Sequence, residues 1–301
     1  MFTSQDFYNQ FQLNYFDYKQ NANEHLLNLD EEAIAKIVKG IYHYNIEDFR
    51  NSIMMEIRMT CLWTIDTLFE LMFCLLPDHK QRLQDDNILN NLSKKKPYYR
   101  DLNKFVNGSK GRFDAFKWSV KYSKKNEDKE YHCSVLRHLF YKDLFELPEE
   151  KEIQISVKMI QTALKYLGSE ITQNREQLNS FKHGLKLFPF LKEFNAVAPG
   201  NVDNAVHVDL KGSISYQTID KKQRTRKIQT STLNPERDLV ITRLCTCMIY
   251  NIIILRKTVK ERFKIDGKNL IFVFTEKLME ELDKNNPRIN NLTIELKQPF
   301  E

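Results

Sequence analysis

Ile153–Phe188 reads IQISVKMIQTALKYLGSEITQNREQLNSFKHGLKLF. Val157, Ile160, Leu164, Leu167, Ile171, Leu178 and Leu185 recur at gaps of three, four and seven, a period near 3.6 residues. The spacing predicts one long amphipathic helix over 153–188. Its C-terminal end is polar: Asn179-Ser180-Phe181-Lys182-His183-Gly184. Asn179 and His183 are four apart and so share a helix face. Tyr166 and Glu170 lie further up.

Two more long helices flank it. Asn45 is a good N-cap with Asp48 three residues on, and apolar residues recur from Ile46 to Leu76 before Pro77 closes the run. At 1.5 Å per residue this helix is about 45 Å long. Glu56, Asp66 and Glu70 interrupt its apolar surface. They form a solvated edge, or one of them meets Arg175 or His183 across the bundle. The third helix starts with Asn234 as N-cap, Pro235 at the first helical position and Glu236 at the positive end of the dipole. It is expected to run to about Arg262 and, being apolar on nearly all faces over 244–255, to be the most buried.

Between the second and third of these helices in space of sequence, the period changes. Ala205–Leu210 and Ser213–Gln217 alternate apolar and polar, and Lys227–Thr232 is a third candidate strand. Residues 204–232 are thus expected as an antiparallel β-meander. Its second connection holds Lys221, Lys222, Arg224, Arg226 and Lys227, a basic tip that grips phosphate or is simply solvated. The expected fold class is mainly α: a helical bundle with this small β-meander insertion.

A chain of 301 residues with 42% hydrophobic content can bury a sizeable core. Eight glycines and eight prolines are too few for an all-β sandwich. The net charge of +6 leans towards acidic partners such as RNA without being a nucleic-acid footprint. Five cysteines without a C-x-x-C pair read as reduced core residues of a cytoplasmic protein. No signal peptide is evident, and the most apolar run, 244–255, falls short of the ~20 residues of a membrane span. No H-E-x-x-H, G-x-S-x-G or phosphate-loop pattern occurs, so a metalloenzyme or nucleophile enzyme is disfavoured; no metal or cofactor is expected.

The chain reads as a single domain over 1–301. An N-terminal helical segment covers 1–45, the helical core 46–190 and 233–263, and an α/β tail 264–301. Within the core, short helices are expected near 81–92, 98–106 and 113–122, a turn at 126–129, and either strand or helix at 131–141. The tail is expected as strand 269–274, helix 276–283 and strand 292–296.

The stretch Leu178-Asn179-Ser180-Phe181-Lys182-His183-Gly184 resembles the R-N-x-x-x-H-G signature of HEPN domains, which sits late in a long helix of an up-and-down bundle. Asn179, His183 and Gly184 match in order and spacing; Leu178 stands at the arginine position. The resemblance implies a bacterial toxin or phage-defence component with metal-independent endoribonuclease chemistry, in which the RNA 2′-hydroxyl attacks the adjacent phosphate. It implies a homodimer or other protein partner. It gives His183 an acid–base or positioning role beside Asn179. Arg175, or else Lys182 or Lys186, would have to supply the charge that Leu178 cannot, ordinarily the largest electrostatic contribution. Lys182, Lys186, Lys221, Lys222, Arg224 and Arg226 are the candidate RNA contacts.

The alternative is a non-catalytic HEPN-like binding or assembly module. There Asn179 and His183 form a buried hydrogen-bonded pair between helices, Gly184 admits a close neighbour, and Lys182 and Lys186 are solvated.

Overall fold

The computed structural model describes residues 2–94, 98–123, 130–142, 150–182, 187–188, 193–198, 201–209, 212–220, 225–257, 270–273, 277, 280 and 292–296. Helices are α1 (Ser4–Gln10), α2 (Tyr15–Leu27), α3 (Glu31–Ile37), α4 (Ile46–Leu75), α5 (Ile88–Ser93), α6 (Tyr98–Val106), α7 (Val135–Tyr141), α8 (Glu150–Gln173), α9 (Arg175–Lys182) and α10 (Pro235–Ile254). Strands are β1 (Ser119–Ser123), β2 (Glu130–Ser134), β3 (Leu187–Phe188), β4 (Glu193–Ala198), β5 (Asn201–Asp209), β6 (Ser213–Asp220), β7 (Thr225–Thr232) and β8 (Leu292–Leu296). The fold is mainly α. No described helix is long and apolar enough to cross a membrane.

The chain gathers into two compact units, each built from three stretches: Met1–Asp17, Trp63–Gln173 and Ile241–Asp283 in the first, Tyr18–Leu62, Asn174–Val240 and Lys284–Glu301 in the second. In the first unit, α6 lies along α8. Gly168 permits the approach, since a Cβ there would meet Val106 Cγ2 at 3.0 Å and Leu102 Cδ1 at 3.3 Å. Phe69, Phe73, Phe105, Phe113 and Phe116 form a cluster of ring contacts beside them, with centroids 5.4–6.0 Å apart. Such pairs add to the area they bury through edge-to-face and offset geometry.

Two polar knots fasten this unit. Ser156 Oγ lies 2.5 Å from the Tyr141 hydroxyl and accepts the Val273 N–H at 2.7 Å. The Asn251 amide donates to Ile271 O at 2.6 Å and accepts its N–H at 3.0 Å. Burial pushes the Tyr141 hydroxyl up to about 12. In the second knot the Asp85 carboxylate is ion-paired with the buried Arg256 guanidinium and lies 3.1 Å from His138 Nε2. Arg256 also donates to Leu139 O and Ile252 O at 3.0 and 2.8 Å. Burial alone would raise the Asp85 carboxyl. Arg256 and His138 outweigh it and hold the group well below the usual carboxylate range.

In the second unit, β3, β6, β7 and β8 form an antiparallel sheet in the order β3-β6-β7-β8. Ser215 and Thr230 are directly opposed, and their hydroxyls are 2.8 Å apart. Gly212, at φ +66°, turns the chain into β6, and its carbonyl accepts the Leu233 N–H at 2.9 Å.

The expected meander is corrected at its first strand. β5 pairs with β4, Asn195 opposite His207, and not with β6. Pro199-Gly200, a turn dipeptide, lies between β4 and β5 in sequence and favours that pairing over the Lys211-Gly212 connection. The helix expected at 113–122 is also corrected. It is a 3-10 turn over Arg112–Lys117 followed by β1, because Ser119-Val-Lys-Tyr-Ser has the alternation of a strand and pairs with β2. The ambiguous 131–141 stretch is both: β2, then α7 capped by Ser134, whose hydroxyl accepts the Arg137 N–H at 3.2 Å.

Helix α5 starts at Ile88 rather than Gln81, and α6 and β8 fall where expected. Residues 270–273 are irregular rather than strand, since Ile271 and Val273 spend backbone hydrogen bonds on Asn251 and Ser156. The turn expected at 126–129 lies outside the described residues. In the expected tail helix, Lys277 and Glu280 are helical, and the remainder lies outside them.

Candidate functional site

The long helix expected over 153–188 is two helices, α8 and α9, with a break at Asn174; Leu187 and Phe188 belong to β3. The run Thr172-Gln173-Asn174 explains the break. The Thr172 hydroxyl donates back to Gly168 O at 2.8 Å and Ser169 O at 3.1 Å, and the Gln173 amide donates to Ser169 Oγ at 3.1 Å. The Thr172 bonds, made to backbone carbonyls, compete with the helical ladder and bend it. The Asn174 carbonyl then accepts the Leu178 N–H at 3.1 Å and starts α9.

Helix α9 carries Leu178–Lys182 of the motif. Its inner side is Gln177, Leu178 and Ser180, all buried. Its outer side is Arg175, Glu176 and Lys182, all exposed, with Asn179 and Phe181 half-buried between. Arg175, Asn179 and Lys182 follow helical spacing and form one outward stripe about 10 Å long.

The inner side is held by charge. Gln177 Oε1 accepts from Arg58 Nε at 3.2 Å, and Arg58 Nη1 donates to Asp238 Oδ1 at 2.8 Å. Arg58 and Asp238 are buried, at 5% and 1% exposure. Asp238 also lies in the first turn of α10, where the helix dipole favours an anion. Asn234 caps that helix, accepting the Arg237 N–H at 3.1 Å. Tyr216 of β6 is buried nearby; burial raises its hydroxyl pKa, Arg58 opposes that and Glu176 adds to it.

Arg175, Asn179 and Lys182 thus come together on one side of one helix. His183, Gly184, Lys186, Lys221, Lys222 and Arg224 lie outside the described residues. Arg226 lies in β7 opposite Ile219. Among the carboxylates expected on α4, Glu56 pairs with Lys19 at 3.3 Å and Asp66 accepts the Tyr99 hydroxyl at 2.6 Å. Arg58, Gln177 and Asp238 were not legible as a set. Their one signal is a charge set inside an apolar run, Arg58 between Ile57 and Met59. Among the described residues no group of three His, Cys, Asp or Glu is placed to hold a metal.

No family model, curated protein or solved structure matches this chain.

Proposed function

We propose that this protein is a HEPN-like module that binds RNA through the outward stripe of α9 together with the basic 221–227 connection. The observation that carries this reading is the division of labour on α9. Stitching of the helix falls to Gln177, Arg58 and Asp238, so Asn179 is not needed as the buried cross-helix amide; it sits half-buried on the side of the exposed Arg175 and Lys182. Two cations and an amide at helical spacing suit contacts to phosphate and ribose. Leu178, at the arginine position of the signature, is 2% exposed. Its burial favours binding without cleavage, because the cation that would stabilise the phosphorane is replaced by core hydrocarbon. The catalytic alternative, a toxin or phage-defence ribonuclease, rests on Arg175 one turn before Asn179.

Fluorescence anisotropy with a labelled single-stranded RNA, repeated over a salt series, tests the proposal. Arg175→Gln combined with Lys182→Gln is expected to weaken binding at least tenfold. It should also lower the log–log salt slope by about 1.4, the loss of two phosphate contacts. RNA should stay full-length. Cleavage that persists in EDTA and disappears in His183→Ala would establish the catalytic alternative instead. Affinity unchanged in the double variant and in Lys221, Lys222, Arg224 and Arg226 neutralised together would remove the RNA reading.

A further inference from the structure

A polar recess lies wholly within the first unit, away from the α9 residues in sequence. It is a cleft of about 520 Å³, within the roughly 300–1,000 Å³ typical of small-molecule sites. The turn after α4 contributes Asp78, His79 and Arg82, α5 and its end contribute Asn91 and Lys94, and the 3-10 turn and its exit contribute Arg112 and Trp118.

The charge balance of this cleft favours an anion. Asp78 is the acid among its described lining residues, and it is already engaged. Arg82 donates to Asp78 Oδ2 from Nε at 2.8 Å and pairs with it from Nη2 at 2.7 Å, while Oδ1 accepts the Lys80 and Arg82 N–H groups at 2.9 Å. His79, Lys94 and Arg112 remain, and no carboxylate among the described residues forms an ion pair with them. Arg112 is placed by its surroundings: its guanidinium carbon lies 5.2 Å from the Phe73 ring centroid, and its backbone N–H donates to Asp101 Oδ1 at 3.2 Å. Stacking of this kind orients a guanidinium and leaves its edge donors for a planar or tetrahedral oxyanion.

Trp118 adds an aromatic side chain to the lining. Trp118 is half-buried, with its backbone fixed on both sides: its N–H donates to Ala115 O at 2.9 Å and its carbonyl accepts the Val135 N–H at 3.1 Å. Its indole is the group among the lining residues whose chemistry suits stacking on a flat ring. The Asn91 amide donates to Cys74 O at 2.8 Å and to Gln84 Oε1 at 3.5 Å.

We infer that the cleft binds a small phosphate monoester carrying a flat ring, with the phosphate held by Lys94 and Arg112 and the ring against Trp118. The cleft is built from residues outside α9 and does not depend on the role of that helix.

Isothermal titration of the full chain with AMP, phenyl phosphate, inorganic phosphate and adenosine tests it. AMP or phenyl phosphate is expected to bind, and which of them binds tighter identifies the ring class. Lys94→Gln and Arg112→Gln should each weaken binding about tenfold or more, and Trp118→Leu at least fivefold. Lys94 is exposed, so Lys94→Gln keeps the test decisive even if Arg112→Gln perturbs folding. The Arg175→Gln, Lys182→Gln chain should bind these ligands as wild type does. No binding of AMP or phenyl phosphate at about 1 mM overturns the inference. So does inorganic phosphate binding as tightly as both monoesters, or affinity indifferent to Lys94→Gln and Arg112→Gln alike.

Discussion

At the residue scale, the group with most at stake is Asp85. Its carboxylate is paired with Arg256, whose side chain is 1% exposed, and hydrogen-bonded to His138. Removing one partner of a buried pair leaves the other uncompensated, so Asp85→Asn is expected to cost about 3–5 kcal/mol in urea unfolding. The pH dependence follows from the lowered carboxyl pKa. With the folded value below the unfolded one, near ~3.9 for Asp, the stabilisation is complete above the unfolded value and is lost as pH falls towards the folded one. Unfolding midpoints measured from pH 7 down to 3 should therefore drop more steeply for wild type than for Asp85→Asn below about pH 5. Parallel curves would show that the pair does not couple to acid stability. Nothing local in the sequence marks Asp85: it sits in the polar run Gln84-Asp85-Asp86-Asn87, and its partner is 171 residues away. By contrast Asn234 and Pro235 announce their roles at the start of α10 through residue type and position alone.

At the element scale, the period of α4, α8 and α10 was readable because each buries a stripe or more of apolar surface, and periodicity records burial. What it does not record is interruption. The apolar stripe continues through Leu178 and Leu185, yet the Thr172 hydroxyl bonds back to two helical carbonyls and the helix ends at Gln173. Pairing partners were equally hidden, since alternation identifies β5 but not whether β4 or β6 lies beside it. Close approach is a further property that a lone glycine in a helix only hints at. Gly168→Ala gains up to ~1 kcal/mol in helix propensity. Against that, the new methyl meets Val106 Cγ2 at 3.0 Å, on a β-branched side chain with little rotamer freedom. Overpacking costs about 1–3 kcal/mol, so the expected net is a loss of about 1 kcal/mol by thermal or urea unfolding. A stabilised variant would mean that α6 shifts away without penalty.

At the scale of the whole molecule, both units are discontinuous in sequence, so no single cut isolates either. A fragment covering 1–173 retains Asp85, His138, Tyr141 and Ser156 but lacks Arg256, Asn251 and Val273, their partners in the two polar knots. It is expected to show weak near-ultraviolet circular dichroism and rapid proteolysis, and a sharp cooperative unfolding transition would contradict this. The separation also bears on how the chain is made. Translation proceeds at ~5–20 residues per second, so Arg256 leaves the ribosome on the order of 10 to 30 s after Asp85. Through that interval the nascent chain holds a carboxylate, joined once His138 is made by an imidazole, with no Arg256 guanidinium to meet. Slow codons placed before position 256 should therefore lengthen the window in which holdase chaperones capture it.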